Sequence, residues 1–86
     1  MAKYEIFIKP SAVKELEGIG TKKDRRRIVS RIHEWIENPR PPGFQKLSGA
    51  DKYRIRCGHY RVVYSIDDDE LMIQVIKIGH RREIYR

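Results

Sequence analysis

Residues 52–66 read Lys-Tyr-Arg-Ile-Arg-Cys-Gly-His-Tyr-Arg-Val-Val-Tyr-Ser-Ile, and this stretch decides the fold. Apolar and polar side chains alternate on both sides of residues 58–59, whose Gly-His pair is a two-residue turn signal. The pattern therefore predicts a β-hairpin with one buried face. The apolar set of its first strand is Tyr53, Ile55 and Cys57, and that of its second strand is Tyr60, Val62, Tyr64 and Ile66.

Four further elements are predicted around this hairpin. Residues 4–8 alternate as a first strand, and residues 12–17, with Ser11 as N-cap, suit a short helix. Residues 22–37 carry one apolar stripe at helical spacing, which predicts a helix with Trp35 as a core anchor and with Ile28, Val29, Ile32 and Ile36 on the same face. Residues 71–78 are almost continuously apolar, which is typical of a central strand covered on both faces.

The element order β-α-α-β-β-β predicts a single α+β domain over residues 1–86. We expect two N-terminal helices packed on one face of a small, mainly antiparallel four-stranded sheet. Residues 39–51, rich in proline and glycine, should form one connecting loop within this domain.

The charge balance points to an acidic partner. Nineteen Lys and Arg oppose twelve Asp and Glu, for a formal net charge of +7 and a pI near 9.8. Residues 21–60 carry this whole excess, whereas residues 67–70 form an acidic cluster that a polyanion should avoid. Nucleic acid, an anionic membrane or an acidic protein would suit the excess.

Several other classes of protein are disfavoured. The single cysteine, Cys57, excludes an internal disulfide and should be a buried thiol. The first residues lack the apolar core of a signal peptide, and no apolar run approaches the roughly 18 residues of a membrane span. The histidines have no metal-ligand spacing. We therefore expect a cytosolic protein with no cofactor, no metal site and no membrane partner.

The polar face of the hairpin carries the chemistry. Alternation places Lys52, Arg54 and Arg56 of one strand, with Arg61 of the next, on the face away from the helices. Like charges held this close repel each other, and a polyphosphate ligand would compensate them. A solvated polar face without a ligand is the alternative interpretation.

Four segments together resemble the RelE/ParE toxin superfamily, and the resemblance covers essentially the whole chain. They are Lys-Leu-Ser-Gly at 46–49, Tyr-Arg-Ile-Arg at 53–56, Tyr-Arg-Val-Val-Tyr at 60–64 and Ile-Gly-His-Arg-Arg-Glu-Ile-Tyr at 78–85. The resemblance implies a RelE-like fold and the toxin of a type II toxin–antitoxin system. RelE-type toxins cut messenger RNA in the ribosomal A site without a metal. The RNA 2′-hydroxyl attacks the adjacent phosphate and leaves a 2′,3′-cyclic phosphate.

The resemblance also implies site residues. Catalytic positions of the family correspond to Arg54, Arg56, Arg61, Arg81 and Tyr85. The best-studied family pattern has lysines where Arg54 and Arg56 stand, and arginine stays protonated, so neither is a good general base. The candidate bases are Lys52 and His80, and further RNA contacts are expected from Lys46, Lys52 and Arg82.

The implied partners are messenger RNA on the 70S ribosome, with contacts to 16S ribosomal RNA, and a RelB-like antitoxin. Residues 21–31 and the exposed sheet face offer the antitoxin an acidic or helix-in-groove docking site. Two alternatives stay open at this point. One is a ParE-type toxin that poisons gyrase, and the other is a non-enzymatic RNA-binding module or degenerate toxin.

Overall fold

The computed structural model describes residues 3–47 and 52–80. In chain order the elements are β1 (Glu5–Ile8), α1 (Pro10–Glu17), α2 (Lys22–Glu34), β2 (Gln45–Lys46), β3 (Lys52–Cys57), β4 (Tyr60–Asp67) and β5 (Met72–His80). The strands form one sheet in the order β1-β5-β4-β3-β2. Only β1 and β5 run parallel, so the predicted α+β class with a mainly antiparallel sheet is confirmed.

The sheet has five strands rather than the predicted four, because part of the proline-rich loop adds an edge strand. β2 is two residues long and pairs with β3, Gln45 opposite Arg54 and Lys46 opposite Tyr53. Two residues cannot show a period of two, so the sequence pattern had no means of revealing this strand. Phe44, just before it, packs against Tyr53 with ring centroids 5.6 Å apart.

Both helices differ from prediction at one end. α1 begins at Pro10 with Lys9 as N-cap, so Ser11 lies inside the helix. A proline suits this first position because the first N–H groups of a helix have no partner within it. α2 ends at Glu34 instead of residue 37, where the N–H of Trp35 bonds to the carbonyl of Ile32 in a tighter turn.

The core lies between the two helices and the sheet. Trp35 is fully buried, as predicted, and stacks on Tyr64 with ring centroids 4.0 Å apart. The Tyr64 hydroxyl donates a hydrogen bond of 2.9 Å to the carbonyl of Pro39, and burial raises the pKa of Tyr64 to about 12. The stack and this hydrogen bond anchor the start of the proline-rich loop. Val29, by contrast, was predicted on the apolar stripe of α2 but is 50% exposed.

β5 is an interior strand between β1 and β4, but the middle strand of the sheet is β4, and β5 is not covered on both faces as its apolar run predicts. Gln74 is exposed on the face away from the helices, opposite Phe7 of β1, which is also exposed. The pairing with β4 shifts between Val75 and Lys77, so Ile76 is an extra residue in β5. This β-bulge reverses the faces of all later residues in the strand.

Candidate nucleic-acid interface

The strand register gathers four cations on the face away from the helices. Arg56 of β3 lies directly opposite Arg61 of β4, while Arg54 is opposite Val63 and Lys52 opposite Ser65. We call this set the cation face, and its members are Lys52, Arg54, Arg56 and Arg61. The alternation of the hairpin predicts this placement, and the structure has it.

The members of the cation face differ in burial. Arg61 is 8% exposed, which makes it the one buried charged residue in the part of the chain that the structure describes. Arg54 is half-buried, and Arg56 and Lys52 are exposed. On its other side Arg61 is paired with Gly79 of β5. Attraction between a cation and an anion is stronger where water is partly excluded, so Arg61 is the member best suited to hold a phosphate.

Neutral acceptors orient two of these arginines. A guanidinium nitrogen of Arg54 donates a 2.8 Å hydrogen bond to the amide oxygen of Gln45, its partner across β2 and β3. Nε of Arg56 donates to the carbonyl of Gly58 at 3.3 Å. These acceptors hold the side chains without cancelling their charge. Gln45 was not predicted as a site residue, because its contact depends on a strand too short to recognise.

Other predicted site residues do not join the cation face. His80 is paired with Tyr60, in line with the core pair Val62 and Ile78, so its side chain starts on the helix side of the sheet. Its ring makes an edge contact with Tyr60 at 5.7 Å. Lys46 is paired with the helix-facing Tyr53 and is exposed.

The C-terminal candidates Arg81, Arg82 and Tyr85 lie outside the described residues. Their roles rest on the family resemblance alone.

The far end of β4 is acidic. The turn at residues 67–70, here the acidic turn, contains Asp68, which binds Arg40 through two hydrogen bonds of 2.8 and 3.2 Å. The hydroxyl of Tyr4 donates a further 2.7 Å bond to the same carboxylate. The hydrogen bond from Arg40 is the main reason that the pKa of Asp68 is lowered, with Tyr4 second. Arg40, which also lies 5.7 Å from the Tyr53 ring centroid, is thus neutralised by a carboxylate.

A shallow groove of about 560 Å³ lies along the two helices. Leu16 and Val29 supply apolar surface, and Lys22, Arg26 and His33 contribute charge or polarity at its edge. We call it the helix groove. It takes up one flank of α2, so the basic stretch at residues 21–31 is divided between two different surfaces.

Cys57 is a buried free thiol, as predicted. Burial raises its pKa, and the opposing effects of Arg31 and Arg27 are smaller, so the thiolate is disfavoured. Within residues 3–47 and 52–80, no three His, Cys, Asp or Glu side chains are grouped as metal ligands would be. No helix in those ranges is long and apolar enough to cross a membrane.

A two-helix layer on a mainly antiparallel sheet, with arginines on the open face, defines the class of small RelE/ParE-type toxins. The chain belongs to the family described as ParE toxin of type II toxin-antitoxin system, parDE, whose model matches residues 6–85.

Individual relatives carry RelE names. The chain is 30% identical to the mRNA interferase toxin RelE of Escherichia coli K12 over 87 aligned positions, covering 95% of this chain and 90% of that protein. RelE in the archaeal RelE–RelB complex of Pyrococcus horikoshii has a similar structure, with a TM-score of 0.83, 31% identity and coverage of 94% and 97%. A chain in the crystal structure of the intact E. coli RelBE toxin–antitoxin complex is similar, with a TM-score of 0.76 and 31% identity. The match covers 90% of this chain and 95% of that chain.

Proposed function

We propose that this type II toxin is a ribosome-dependent, metal-independent endoribonuclease that cuts messenger RNA in the A site and inhibits translation. The observation that carries the proposal is the cation face, where Arg56 and Arg61 stand directly opposite each other and Arg61 is buried. A similar protein at 30% identity bears the name mRNA interferase. A toxin with this substrate acts in the cytoplasm.

The proposed reaction is an internal phosphoryl transfer. The 2′-oxygen of a nucleotide forms a bond to the adjacent phosphorus, and the bond from phosphorus to the 5′-oxygen of the next nucleotide breaks. One proton leaves the 2′-hydroxyl and one reaches the 5′-oxygen. Negative charge grows on the phosphate oxygens, and guanidinium groups fixed in advance stabilise it. We assign this role to Arg61 and, from the resemblance, to Arg81, with Arg54 and Arg56 adding charge and orientation.

Lys52 is the better supported of the two candidates for general base. It belongs to the cation face, whereas His80 is paired on the helix side of the sheet. Lysine is also chemically better suited than arginine to act as a base. Tyr85 would stack on a base beside the cleaved bond or hydrogen-bond near the 2′-oxygen, as the resemblance implies.

Gyrase poisoning is the rival function, because the matching family model is that of the ParE toxin. ParE-type toxins share the fold and lack the ribonuclease residues. Two observations favour RNA cleavage here: the gathered cations on β3 and β4, and the mRNA interferase name of a relative aligned over 95% of this chain.

A RelB-like antitoxin is the proposed protein partner, since similar RelE chains occur in complexes with RelB. We assign its docking site to the helix groove, whose apolar floor and basic edge suit an amphipathic segment with acidic residues. By covering or displacing part of the Arg61 and Arg81 surface as well, the antitoxin would block cleavage.

Primer extension on ribosomes carrying a defined messenger tests the function. The expected result is a cut in the A-site codon that requires the ribosome, persists in a chelator and weakens strongly in Arg81→Ala. A folded wild-type chain that binds ribosomes and leaves the messenger intact would contradict the proposal. Trapped gyrase–DNA complexes in a parallel assay would then support the ParE-type alternative.

A further inference from the structure

The β3–β4 turn joins the cation face to a second group of arginines on α2. Nε of Arg56 donates to the carbonyl of Gly58 from the sheet side. Arg27 of α2 lies over the same residue, so close that a methyl group on Gly58 would come within 2.9 Å of its Nη1. Gly58 also has a φ of +63°, which glycine adopts without strain. Two arginines from different layers therefore meet at one glycine.

This second group extends along one flank of α2. Arg31 follows Arg27 by one helical turn, and both border a small depression with Ser30, Glu34, Cys57 and Gly58. We call Arg27, Arg31 and Gly58 the turn ridge. The turn ridge and the helix groove lie on different flanks of α2. The helix groove has apolar residues and lies beside Lys22, Arg26 and Val29.

Two carboxylates lie near the turn ridge, and neither cancels its positive charge. Glu34 is 3.9 Å from Arg31, and both side chains are more than a third exposed, which makes a weak pair. Asp24, in the first turn of α2, bonds with Thr21 at 2.5 Å. Two like charges at i and i+4 on a helix are mildly destabilising, so a bound anion would relieve their repulsion.

We propose that the turn ridge is a second RNA-backbone site, which binds phosphates beyond those held by the cation face. The inference rests on the proposed function and extends its site around the hairpin end. Phosphodiester RNA suits the ridge better than a protein segment, because the ridge has little apolar surface and is continuous with the arginines of the cation face. The acidic turn lies at the opposite end of β4, so the RNA path runs over the β3–β4 turn.

The salt dependence of ribosome binding tests the ridge. Each contact between a cation and a phosphate makes the slope of log affinity against log salt concentration steeper by about 0.7 for single-stranded nucleic acid. We expect the double variant Arg27→Gln/Arg31→Gln to lower the slope by roughly 1 to 1.5. Arg27→Lys/Arg31→Lys should restore most of it, because it restores the charges.

The binding measurement uses the full-length chain and cosedimentation with 70S ribosomes. One arm has no messenger, and the other has a messenger with 2′-deoxynucleotides in the A-site codon, which cannot be cut by 2′-hydroxyl attack. A lower slope in both arms assigns the ridge to ribosomal RNA, and a lower slope only with messenger assigns it to the messenger. The matched control is Lys9→Gln/Lys14→Gln, two exposed lysines on or beside α1, which should leave the slope unchanged.

Three results would overturn the inference. The first is an unchanged slope in a ridge variant whose thermal melt confirms that it is folded. This result would exclude the turn ridge as an RNA site and would leave the proposed function unaffected. Loss of antitoxin binding alone, with ribosome binding intact, reassigns the ridge to the protein partner. A wild-type chain that neither binds nor cuts on ribosomes removes the proposed function, and the inference with it.

Discussion

The acidic turn and the cation face differ in the group that each arginine contacts. At the acidic turn, Arg40 binds the carboxylate of Asp68 at 2.8 Å, so its charge is cancelled where it stands. On the cation face, Arg54 donates a hydrogen bond to the amide oxygen of Gln45 at the same distance, so a neutral group orients its side chain. The first contact is an ion pair that fastens the loop to the sheet, and the second is a hydrogen bond from a cation to a neutral group. The partner of an arginine therefore tells more about its role than its exposure does.

The largest expected effect is the difference in cleavage rate between a variant of Arg61 on the cation face and a variant of Arg40 at the acidic turn. We expect Arg61→Met to slow cleavage on programmed ribosomes by about 100-fold, because loss of one positioned donor removes that order of transition-state stabilisation. Methionine keeps an unbranched apolar stem in the buried position. Arg40→Met is the matched control and should stay within about twofold of the wild-type rate. Equal losses of cleavage rate in both variants would show that the cation face and the acidic turn do not differ in function.

A smaller effect is expected from changing the acceptor beside Arg54. Gln45→Glu keeps an oxygen that accepts from the guanidinium of Arg54 and adds a negative charge. Arg54 would then form an ion pair of the kind that Arg40 forms with Asp68. We expect cleavage about tenfold slower, from the loss of one effective cation, with a melting temperature at or slightly above that of wild type. Gln74→Glu adds the same charge in β5, three strands away from Gln45, and should have less effect. Wild-type cleavage by Gln45→Glu would show that the charge of Arg54 is dispensable.

The smallest effect concerns stability at the acidic turn. Asp68→Asn removes an exposed ion pair, which contributes little in water, so we expect a small loss of stability at neutral pH with cleavage unchanged. The pKa of Asp68 is lowered in the folded chain, so its contribution is present above the ordinary aspartate pKa. The contribution disappears as the pH falls through the lowered value.

Urea unfolding of both chains at several pH values measures this difference. The gap in unfolding free energy between wild type and Asp68→Asn should close on acidification from neutral pH. A gap that stays constant down to pH 2 would show that Asp68 acts through something other than its charge.

The hairpin and its cation face follow from the sequence, because alternation over residues 52–57 and 60–66, broken only at Val63, fixes both the strands and their faces. The edge strand carrying Gln45 could not be foreseen, since two residues have no periodicity. The position of His80 needed the register shift near Ile76, which moves it to the helix side of β5. A bulge depends on the pairing of two strands, and the sequence of one strand does not reveal it.

The parallel pairing of β1 with β5 has a consequence for the synthesis of the toxin. Glu5 pairs with Met72, so the first and last of the described strands are neighbours, and β5 alone connects β1 to β4. Contacts between such distant parts of a chain form slowly, because a long loop must close first. While translation proceeds, the nascent polypeptide lacks the strand that completes its sheet. The sheet of this toxin therefore cannot be completed until β5, which joins β1 to β4, has emerged from the ribosome.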